Sequence, residues 1–189
     1  MRTYRINEIF YSLQGEGYWA GTPMIFVRFS GCNLKCGFCD TDFESFITMT
    51  ESEIMEKVKA LSLSCKKVCL TGGEPSLHID SELINAFHSS GYEVHIETNG
   101  THVLPSGIDW ITLSPKEDWC SNAEIKLKYA NELKLVYTGQ NPEKWLALDA
   151  DYYYLQPCSC KNTTEVVDYI MKHPQWRISL QVHKYLSIR

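Results

Sequence analysis

Short apolar runs alternate along the chain with segments of helical periodicity. The runs at 24–29 and 67–70 are rich in branched or aromatic residues and stop at turn residues, which is typical of buried strands. Similar runs predict further strands at 92–96, 109–113, 132–136, 152–155 and 177–181. The sequence therefore predicts strands along most of its length.

The segments between these strands have the spacing of amphipathic helices. Thr50 and Glu53 form the signature of a capping box, and apolar residues follow at helical spacing. Strands that alternate with helices predict an α/β fold with a parallel sheet and right-handed crossovers. The helical apolar positions are Ile54, Val58 and Leu61, then Leu83, Ile84 and Phe87 before a stop at Gly91, and finally Val166, Val167, Ile170 and Met171 within 162–172.

Length and composition restrict the class of protein. A chain of 189 residues fits a single domain over 1–189 but is shorter than the roughly 250 residues of a complete eight-stranded barrel, so an open sheet is expected. The 18 basic and 23 acidic residues form no basic stripe for nucleic acid, and no run approaches the roughly 18 apolar residues of a membrane span. Because the start also lacks the apolar core of a signal peptide, we expect a cytoplasmic protein whose eight cysteines remain free thiols.

Polar residues follow directly from four of the predicted strands. They occupy 71–74, 97–99, 114–116 and Gln156. Each of these segments could simply be a turn or a loop, because glycine, serine and asparagine are common there. The carboxyl ends of parallel strands nevertheless share one edge of a sheet, where such folds bind ligands. We therefore expect these segments to meet around one site.

Three cysteines after the first predicted strand have the spacing of metal ligands. Cys32, Cys36 and Cys39 are separated by three residues and then by two. Three thiolates can ligate three corners of a four-iron four-sulfur cluster and leave the fourth iron open for chemistry.

Zinc is the alternative ligand of this loop. Structural zinc sites require four protein ligands, so a fourth would have to come from elsewhere in the chain. Cys158 and Cys160 could supply it, but they lie far downstream and are separated by one residue. Ligand count and spacing therefore favour the iron–sulfur cluster.

Two motifs resemble those of the radical S-adenosylmethionine (SAM) superfamily. One is the cysteine spacing with Phe38 before the last cysteine, and the other is Thr-Gly-Gly-Glu-Pro at 71–75. Nearly end to end, the chain resembles the 7-carboxy-7-deazaguanine synthases within that superfamily. The matching segments are 11–17, 27–34, 39–42, 71–75, 97–100, 114–116, 132–136 and 180–184.

The resemblance implies a reaction, a fold and a set of cofactors. The family converts 6-carboxy-5,6,7,8-tetrahydropterin to 7-carboxy-7-deazaguanine with loss of ammonia, in the biosynthesis of queuosine and other 7-deazapurines. It does so on a partial TIM-type barrel with helices outside, as a homodimer, with a 4Fe-4S cluster, SAM and Mg²⁺. A flavodoxin or a similar protein would donate the electron, and no side chain is assigned as an acid or base.

The resemblance also implies roles for the residues that match the motifs of the family. Cys32, Cys36 and Cys39 would hold the cluster, and Thr41 would bind Mg²⁺, with its hydroxyl as a hard oxygen donor. The residues expected to bind SAM are Phe38, Cys39, Asp40, Gly72, Gly73, Glu74, Glu97, Asn99, Ser114, Pro115, Lys116, Gln156, Pro157, Cys158 and Ser159.

A second group of residues is expected to bind the pterin. Arg28 interrupts an apolar strand, and its planar guanidinium can hold the substrate carboxylate by two charge-assisted hydrogen bonds. Gln14 would present its amide to the aminopyrimidinone edge, and His183 would cover the substrate from the last predicted strand. The complete group is Leu13, Gln14, Gly15, Glu16, Arg28, Thr71 and His183.

Two alternative functions remain open at this point. One is a radical SAM activase that acts on a partner protein, because several of these motifs are shared with activases. The other is a zinc-binding interaction module. An activase would have no use for the pterin residues Gln14 and Arg28, and a zinc protein would be colourless.

Overall fold

The computed structural model describes residues 2–39, 41 and 44–189, and in this part of the chain the strands form one nine-stranded sheet. The spatial order is β3-β1-β2-β4-β5-β6-β7-β8-β9. The strands are β1 (Thr3–Leu13), β2 (Pro23–Phe29), β3 (Ile47–Thr50), β4 (Lys67–Gly72), β5 (Glu93–Thr98), β6 (Trp110–Leu113), β7 (Tyr129–Tyr137), β8 (Asp149–Pro157) and β9 (Arg177–Ile178).

Helices connect some of these strands, and short turns connect others. The α-helices are α1 (Glu51–Leu61), α2 (Ser81–Ser89), α3 (Thr163–Lys172) and α4 (Val182–Leu186). Single 3₁₀ turns cover Pro75–Leu77, Pro142–Ala147 and Cys158–Cys160. No helix in the described ranges is both long and apolar enough to cross a membrane.

The prediction of an open, mostly parallel α/β sheet is confirmed. From β2 through β4 to β9, neighbouring strands are parallel and follow the order of the sequence. The sheet ends at β3 and β9 rather than closing on itself. One part of the prediction is wrong, because β1 and β3 are antiparallel strands at one end that the sequence analysis did not identify.

Helices pack on the outer face of the sheet through two apolar clusters. In the first, α1 and α2 cover β1, β2, β4 and β5 through fully buried side chains such as Ile54, Phe87 and Phe29. In the second, α3 packs on β7 and β8 around Trp176 and Leu135. This arrangement leaves the opposite face of the sheet available for polar residues.

The capping box at the start of α1 is present. Thr50 Oγ1 accepts a hydrogen bond from the backbone N–H of Glu53, and the Glu53 carboxylate accepts one from the backbone N–H of Thr50. Ile54 and Val58 are buried as predicted, whereas Leu61 is 39 % exposed because the helix ends there.

Two predictions near the carboxyl terminus are wrong. In α3 only Val166 is fully buried, while Val167 and Met171 are exposed, because only a narrow stripe of the helix meets the sheet. The predicted strand at 177–181 pairs only over β9. Its chain then turns toward the loop after β1, where the Val182 N–H donates to the Gly15 carbonyl and α4 begins.

Replacement of Thr50 by alanine tests the capping box. We expect Thr50→Ala to lower the free energy of unfolding by about 1 kcal/mol, since one helix N–H loses its acceptor and the Glu53 carboxylate loses a donor. Urea unfolding followed by circular dichroism measures the change. Ser52→Ala, at an exposed position in the same helical turn, is the matched control. Equal stability of the two variants would contradict the capping role.

Candidate active site

A cavity of about 750 Å³ opens at the carboxyl edge of the parallel strands. Small-molecule sites have volumes of about 300–1,000 Å³, so this cavity is of the size expected for bound ligands. Residues at the ends of β2, β4, β5, β6, β7 and β8 line it, together with the loop after β1 and residues of α4. The expectation that the polar strand ends meet at one site is therefore confirmed.

The cysteine loop, 30–39, follows β2 and forms one wall of the cavity. Cys32, Cys36 and Cys39 all line the cavity as free thiols. The Cys39 N–H donates to the Cys36 carbonyl at 3.1 Å, and the Phe38 ring packs edge-on against Trp119 with 4.8 Å between ring centroids. In the described part of the chain, no three cysteine, histidine or acidic side chains are gathered closely enough for a single metal ion. The loop therefore brings all three thiols to one wall of the cavity.

Further cysteines lie close to this wall. Cys120 is buried, with its Sγ 3.8 Å from the Cys36 Sγ, and it packs beside Leu34. The sequence analysis missed Cys120, because a single cysteine 84 residues away carries no spacing signal. Cys158 lines the cavity beyond β8, and positive φ angles at Ser159 (49°) and Cys160 (62°) turn the chain sharply there.

Two glycines let the end of β4 touch the end of β2 and the cysteine loop backbone to backbone. Gly72 has a φ of +125°, and a Cβ there would lie 2.1 Å from the Phe29 carbonyl oxygen. A Cβ on Gly73 would lie 2.1 Å from the Gly31 carbonyl oxygen. Since real Cβ atoms never approach oxygen so closely, only glycine fits at either position.

Glu74 lines the cavity, but its carboxylate forms its hydrogen bonds with other residues of the protein. Its carboxylate is 1 % exposed and accepts hydrogen bonds from Thr98 Oγ1 at 2.6 Å, the Asn99 N–H at 2.7 Å and the Ser76 N–H at 3.1 Å. Asn99 in turn donates through Nδ2 to Asn33 Oδ1 at 3.1 Å. These contacts connect the end of β4 to the end of β5 and to the cysteine loop.

Lys116 follows β6 and reaches back to the strand end. Its Nζ donates to the Ser114 carbonyl at 2.6 Å and to Ser114 Oγ at 2.5 Å. Burial lowers the pKa of Lys116 to about 8. Pro115, between them, is buried and does not belong to the cavity lining among the described residues.

A buried lysine on β7 lies between two carboxylates at the other end of the cavity. Lys134 Nζ is 2.7 Å from Glu16 Oε2 and 2.8 Å from Glu97 Oε2. The sequence analysis assigned no role to Lys134. A lysine between Leu133 and Leu135 in a strand was a usable signal, because a buried cation requires anionic partners.

Amide side chains complete this group of charges. Gln14 Nε2 donates to Glu97 Oε1 at 3.2 Å, and both Gln156 Nε2, at 3.1 Å, and Gln181 Nε2, at 2.9 Å, donate to Glu16 Oε1. Gln156 and Glu97, both expected to bind SAM, therefore contact the residues expected to bind the pterin.

The protonation of the group follows from burial and charge. Burial would raise the pKa of Glu16, but the Lys134 charge and hydrogen bonds from Lys134 and Gln181 outweigh it and lower the pKa to about 2. At Glu97, burial and the Glu16 charge outweigh the attraction of Lys134, and the pKa is raised. Burial alone would lower the pKa of Lys134, yet the neighbouring carboxylates Glu16, Glu97 and Glu132 raise it, so the lysine remains charged.

Arg28 has a carboxylate partner within the protein. Its Nε donates to Glu8 Oε1 at 2.9 Å, and its side chain is 23 % exposed and lines the cavity. His183 also lines the cavity, but it lies on α4 rather than on the predicted last strand. A Cβ on Gly15 would lie 2.0 Å from His183 Nδ1, so the histidine packs directly on that glycine.

Most residues predicted for this site line the same cavity. Those expected to bind the pterin or Mg²⁺ are Leu13, Gln14, Gly15, Glu16, Arg28, Thr71, His183 and Thr41. Those expected to bind SAM are Phe38, Cys39, Gly72, Gly73, Glu74, Glu97, Asn99, Ser114, Lys116, Gln156, Pro157, Cys158 and Ser159. Asp40 lies outside the described residues. The lining residues that the sequence analysis did not identify include Asn7, Glu8, Phe10, Phe26, Ser45 and Gln181.

Comparisons with known proteins agree with the geometry. Residues 26–148 match the model of the radical SAM superfamily. The chain is 52 % identical over 185 residues to a 7-carboxy-7-deazaguanine synthase of Bacteroides thetaiotaomicron, covering 98 % of both chains. It is 40 % identical over 213 residues to the synthase of Bradyrhizobium diazoefficiens, covering 99 % of this chain and 100 % of that one. The structure is similar to the crystal structure of QueE from Escherichia coli, with a TM-score of 0.81 and 29 % identity over 96 % of this chain and 95 % of that one.

Alanine at Gly73 tests the close approach of β4 to the cysteine loop. We expect Gly73→Ala to push the loop away from its position and to reduce the iron and sulfide bound after anaerobic reconstitution by at least half. Gly37→Ala is the matched control, because a Cβ there meets no atom within 4 Å. Normal iron content and SAM binding in Gly73→Ala would contradict the backbone contact as a constraint on the loop.

Proposed function

The chain belongs to the radical SAM superfamily and, within it, to the 7-carboxy-7-deazaguanine synthases, and on this basis we propose that it converts 6-carboxy-5,6,7,8-tetrahydropterin to 7-carboxy-7-deazaguanine with loss of ammonia. The product would enter the biosynthesis of queuosine or other 7-deazapurines. One observation carries the proposal: a single cavity joins the thiols of the cysteine loop to the carboxylates and amides around Lys134. The relatives reported above are named as synthases, not as activases or zinc proteins, which favours this function over the two alternatives.

The superfamily uses a 4Fe-4S cluster and SAM, which supply a 5'-deoxyadenosyl radical by one-electron cleavage. We propose Cys32, Cys36 and Cys39 as the cluster ligands. The donor set fits, because three free thiols of one loop line the cavity and leave one iron without a protein ligand.

The role of this chain toward SAM is mainly to position it. Gly72 and Gly73 line the cavity, and their backbone would face the methionine end of SAM. Residues after β5, β6 and β8, including Asn99, Ser114 and Cys158, would surround the rest of the molecule. Glu74 would contribute to SAM binding indirectly, because its carboxylate accepts hydrogen bonds from Thr98 and Asn99 and holds them in position.

The part of the cavity between Arg28 and the loop after β1 suits the pterin. Arg28 would bind the substrate carboxylate: Glu8 takes its Nε donor, and a guanidinium carries four further N–H groups. Glu16 and Gln14 would meet the aminopyrimidinone edge, which carries both donors and acceptors. His183, packed on Gly15, would close the cavity from α4.

Magnesium, the electron donor and the assembly are further parts of the proposal. We propose Thr41 as a Mg²⁺ ligand, because its hydroxyl lines the cavity and Mg²⁺ prefers oxygen donors while keeping several waters. A Mg²⁺ ion held there would supply positive charge that offsets the charge of the substrate carboxylate. A flavodoxin-like protein would supply the electron, the enzyme would act as a homodimer, and a cytoplasmic location would keep its thiols reduced.

Product formation tests the function directly. Anaerobically reconstituted and reduced protein, given SAM, Mg²⁺ and 6-carboxy-5,6,7,8-tetrahydropterin, is expected to form 7-carboxy-7-deazaguanine, detected by mass spectrometry. Cys36→Ala should abolish the product, whereas Cys65→Ala, in the apolar core away from the cavity, should retain it. Formation of 5'-deoxyadenosine without the deazaguanine would reject the substrate, and a colourless protein without iron would reject the reaction class.

Replacement of Arg28 tests the binding of the substrate carboxylate. We expect Arg28→Ala to raise the KM for the pterin by roughly 10- to 100-fold, the range of about 1.5–3 kcal/mol for a hydrogen bond to a charged group. Iron content and SAM cleavage in the absence of pterin should remain unchanged. Arg177→Ala, at an exposed position on β9, is the control. Loss of the cluster in Arg28→Ala would mean that this arginine is structural.

A further inference from the structure

Lys134 lies behind two carboxylates that face the cavity, and it does not itself belong to the cavity lining among the described residues. Its side chain is only 5 % exposed, and its Nζ contacts Glu16 Oε2 at 2.7 Å and Glu97 Oε2 at 2.8 Å. We propose that Lys134 is a positioning residue that holds Glu16 and Glu97 as a fixed pair of acceptors for the N–H groups of the pterin. This inference rests on the proposed function and deepens it.

The contacts of Glu16 leave its carboxylate no freedom to rotate. Lys134 holds Oε2, while Gln156 and Gln181 both donate to Oε1. Gln156 is itself fixed, because its Oε1 accepts from Ser179 Oγ at 2.9 Å. An ionised carboxylate offers about four acceptor positions, so three donors leave one direction available to a ligand.

Glu97 is held in the same way from β5. Lys134 contacts its Oε2, and Gln14 donates to its Oε1. Two acceptor positions therefore remain on Glu97. The aminopyrimidinone edge of a pterin presents an exocyclic amino group beside a ring N–H. Two carboxylates held at fixed positions can accept from both.

The charge of Lys134 is required because the group is otherwise acidic. Glu132, two residues earlier on the same strand, is buried, and its Oε2 accepts from the Tyr18 N–H at 2.9 Å. Three carboxyl groups would repel one another in a medium of low dielectric constant, and only a central cation lets two of them remain ionised together. The other titratable groups that face this region are Lys116 after β6, His183 on α4, Arg28 on β2 and Cys69 on β4.

The proposal predicts how pterin binding depends on pH without Lys134. Removal of the ammonium takes away the charge that favours the ionised form of both carboxyls, so their pKa values rise. A protonated carboxyl donates a hydrogen bond where the substrate needs an acceptor. Pterin affinity in such a variant is therefore lost as the pH falls and is regained as the pH rises.

Three variants of the reconstituted holoenzyme distinguish a role of Lys134 in positioning the carboxylates from a role in folding. Lys134→Met keeps the length and apolar stem of the side chain but removes the charge, and Lys134→Arg keeps the charge. Lys67→Met is the matched control, because Lys67 is another strand lysine, on β4, with its own carboxylate partner in Glu93 outside the cavity. Each variant is assayed for iron content, for SAM cleavage without pterin, and for the pterin KM and kcat between pH 6.5 and 9.

We expect Lys134→Met to raise the pterin KM at least tenfold at pH 7, with iron content and pterin-free SAM cleavage within about twofold of the unchanged enzyme. Its KM should fall as the pH rises, more steeply than that of the unchanged enzyme. Lys134→Arg should recover most of the affinity, and Lys67→Met should behave like the unchanged enzyme. If Lys134→Met does not fold, Lys134→Gln, which keeps a hydrogen-bond donor but carries no charge, replaces it and should show the same rise in KM.

Other outcomes would overturn the inference. An unchanged pterin KM in Lys134→Met would show that the carboxylates need no positioning cation. An equal loss of iron, SAM cleavage and pterin affinity would assign Lys134 a structural role only. Conversion of the pterin by the unchanged enzyme reports on the proposed function separately. If that enzyme neither binds the pterin in calorimetry nor converts it, the proposed function and this inference both fail.

Discussion

One buried carboxylate, that of Glu74, connects the segments that form the cavity. Its oxygens accept from Thr98 and Asn99 at the end of β5, while its own backbone N–H donates to the Gly31 carbonyl of the cysteine loop at 2.9 Å. Removal of any partner of a buried, hydrogen-bonded carboxylate destabilises the folded protein strongly. The hydrogen bonds of Glu74 therefore hold these segments in one arrangement. Together with the close approach of Gly73 and the hydrogen bond from Asn99 to Asn33, this group fixes the cysteine loop relative to the strand ends.

The cavity has two chemically different ends: the cysteine loop follows the carboxyl end of β2, and the loop after β1 lies beside the amino end of β2. At the cysteine loop, thiols and glycine backbone predominate, which suits an inorganic cluster and a ligand that approaches the main chain closely. Around Lys134, carboxylates and amides are fixed by mutual hydrogen bonds, which suits a planar ligand with several donors and acceptors. Because a radical is consumed by whatever it meets first, both ligands have to be oriented in the same enclosed space. The protein supplies that orientation, and the cofactors supply the chemistry.

Local patterns were sufficient to predict much of this structure. The parallel strands, the capping box at Thr50 and the cysteine spacing each depend on residues a few positions apart, and all three are present. The antiparallel strand β1 was missed, although the alternation of Tyr4, Arg5 and Ile6 is typical of a half-buried strand. The roles of Lys134 and Cys120 were also missed. Lys134 meets Glu16 across 118 positions of sequence and Cys120 meets Cys36 across 84. The residues around Lys134 indicate a buried cation but not its partners, and Cys120 has no local signal.

Deuterium placed at C6 of 6-carboxy-5,6,7,8-tetrahydropterin tests most directly whether the two ends of the cavity serve one reaction. If SAM lies beside the cysteine loop and the pterin lies between Arg28 and Glu16, we expect the 5'-deoxyadenosyl radical to take the hydrogen from C6 of the pterin. Mass spectrometry should then find the deuterium in the 5'-deoxyadenosine or SAM recovered after turnover. Formation of 7-carboxy-7-deazaguanine with all the deuterium released to solvent, and none in the adenosine moiety, would contradict the account.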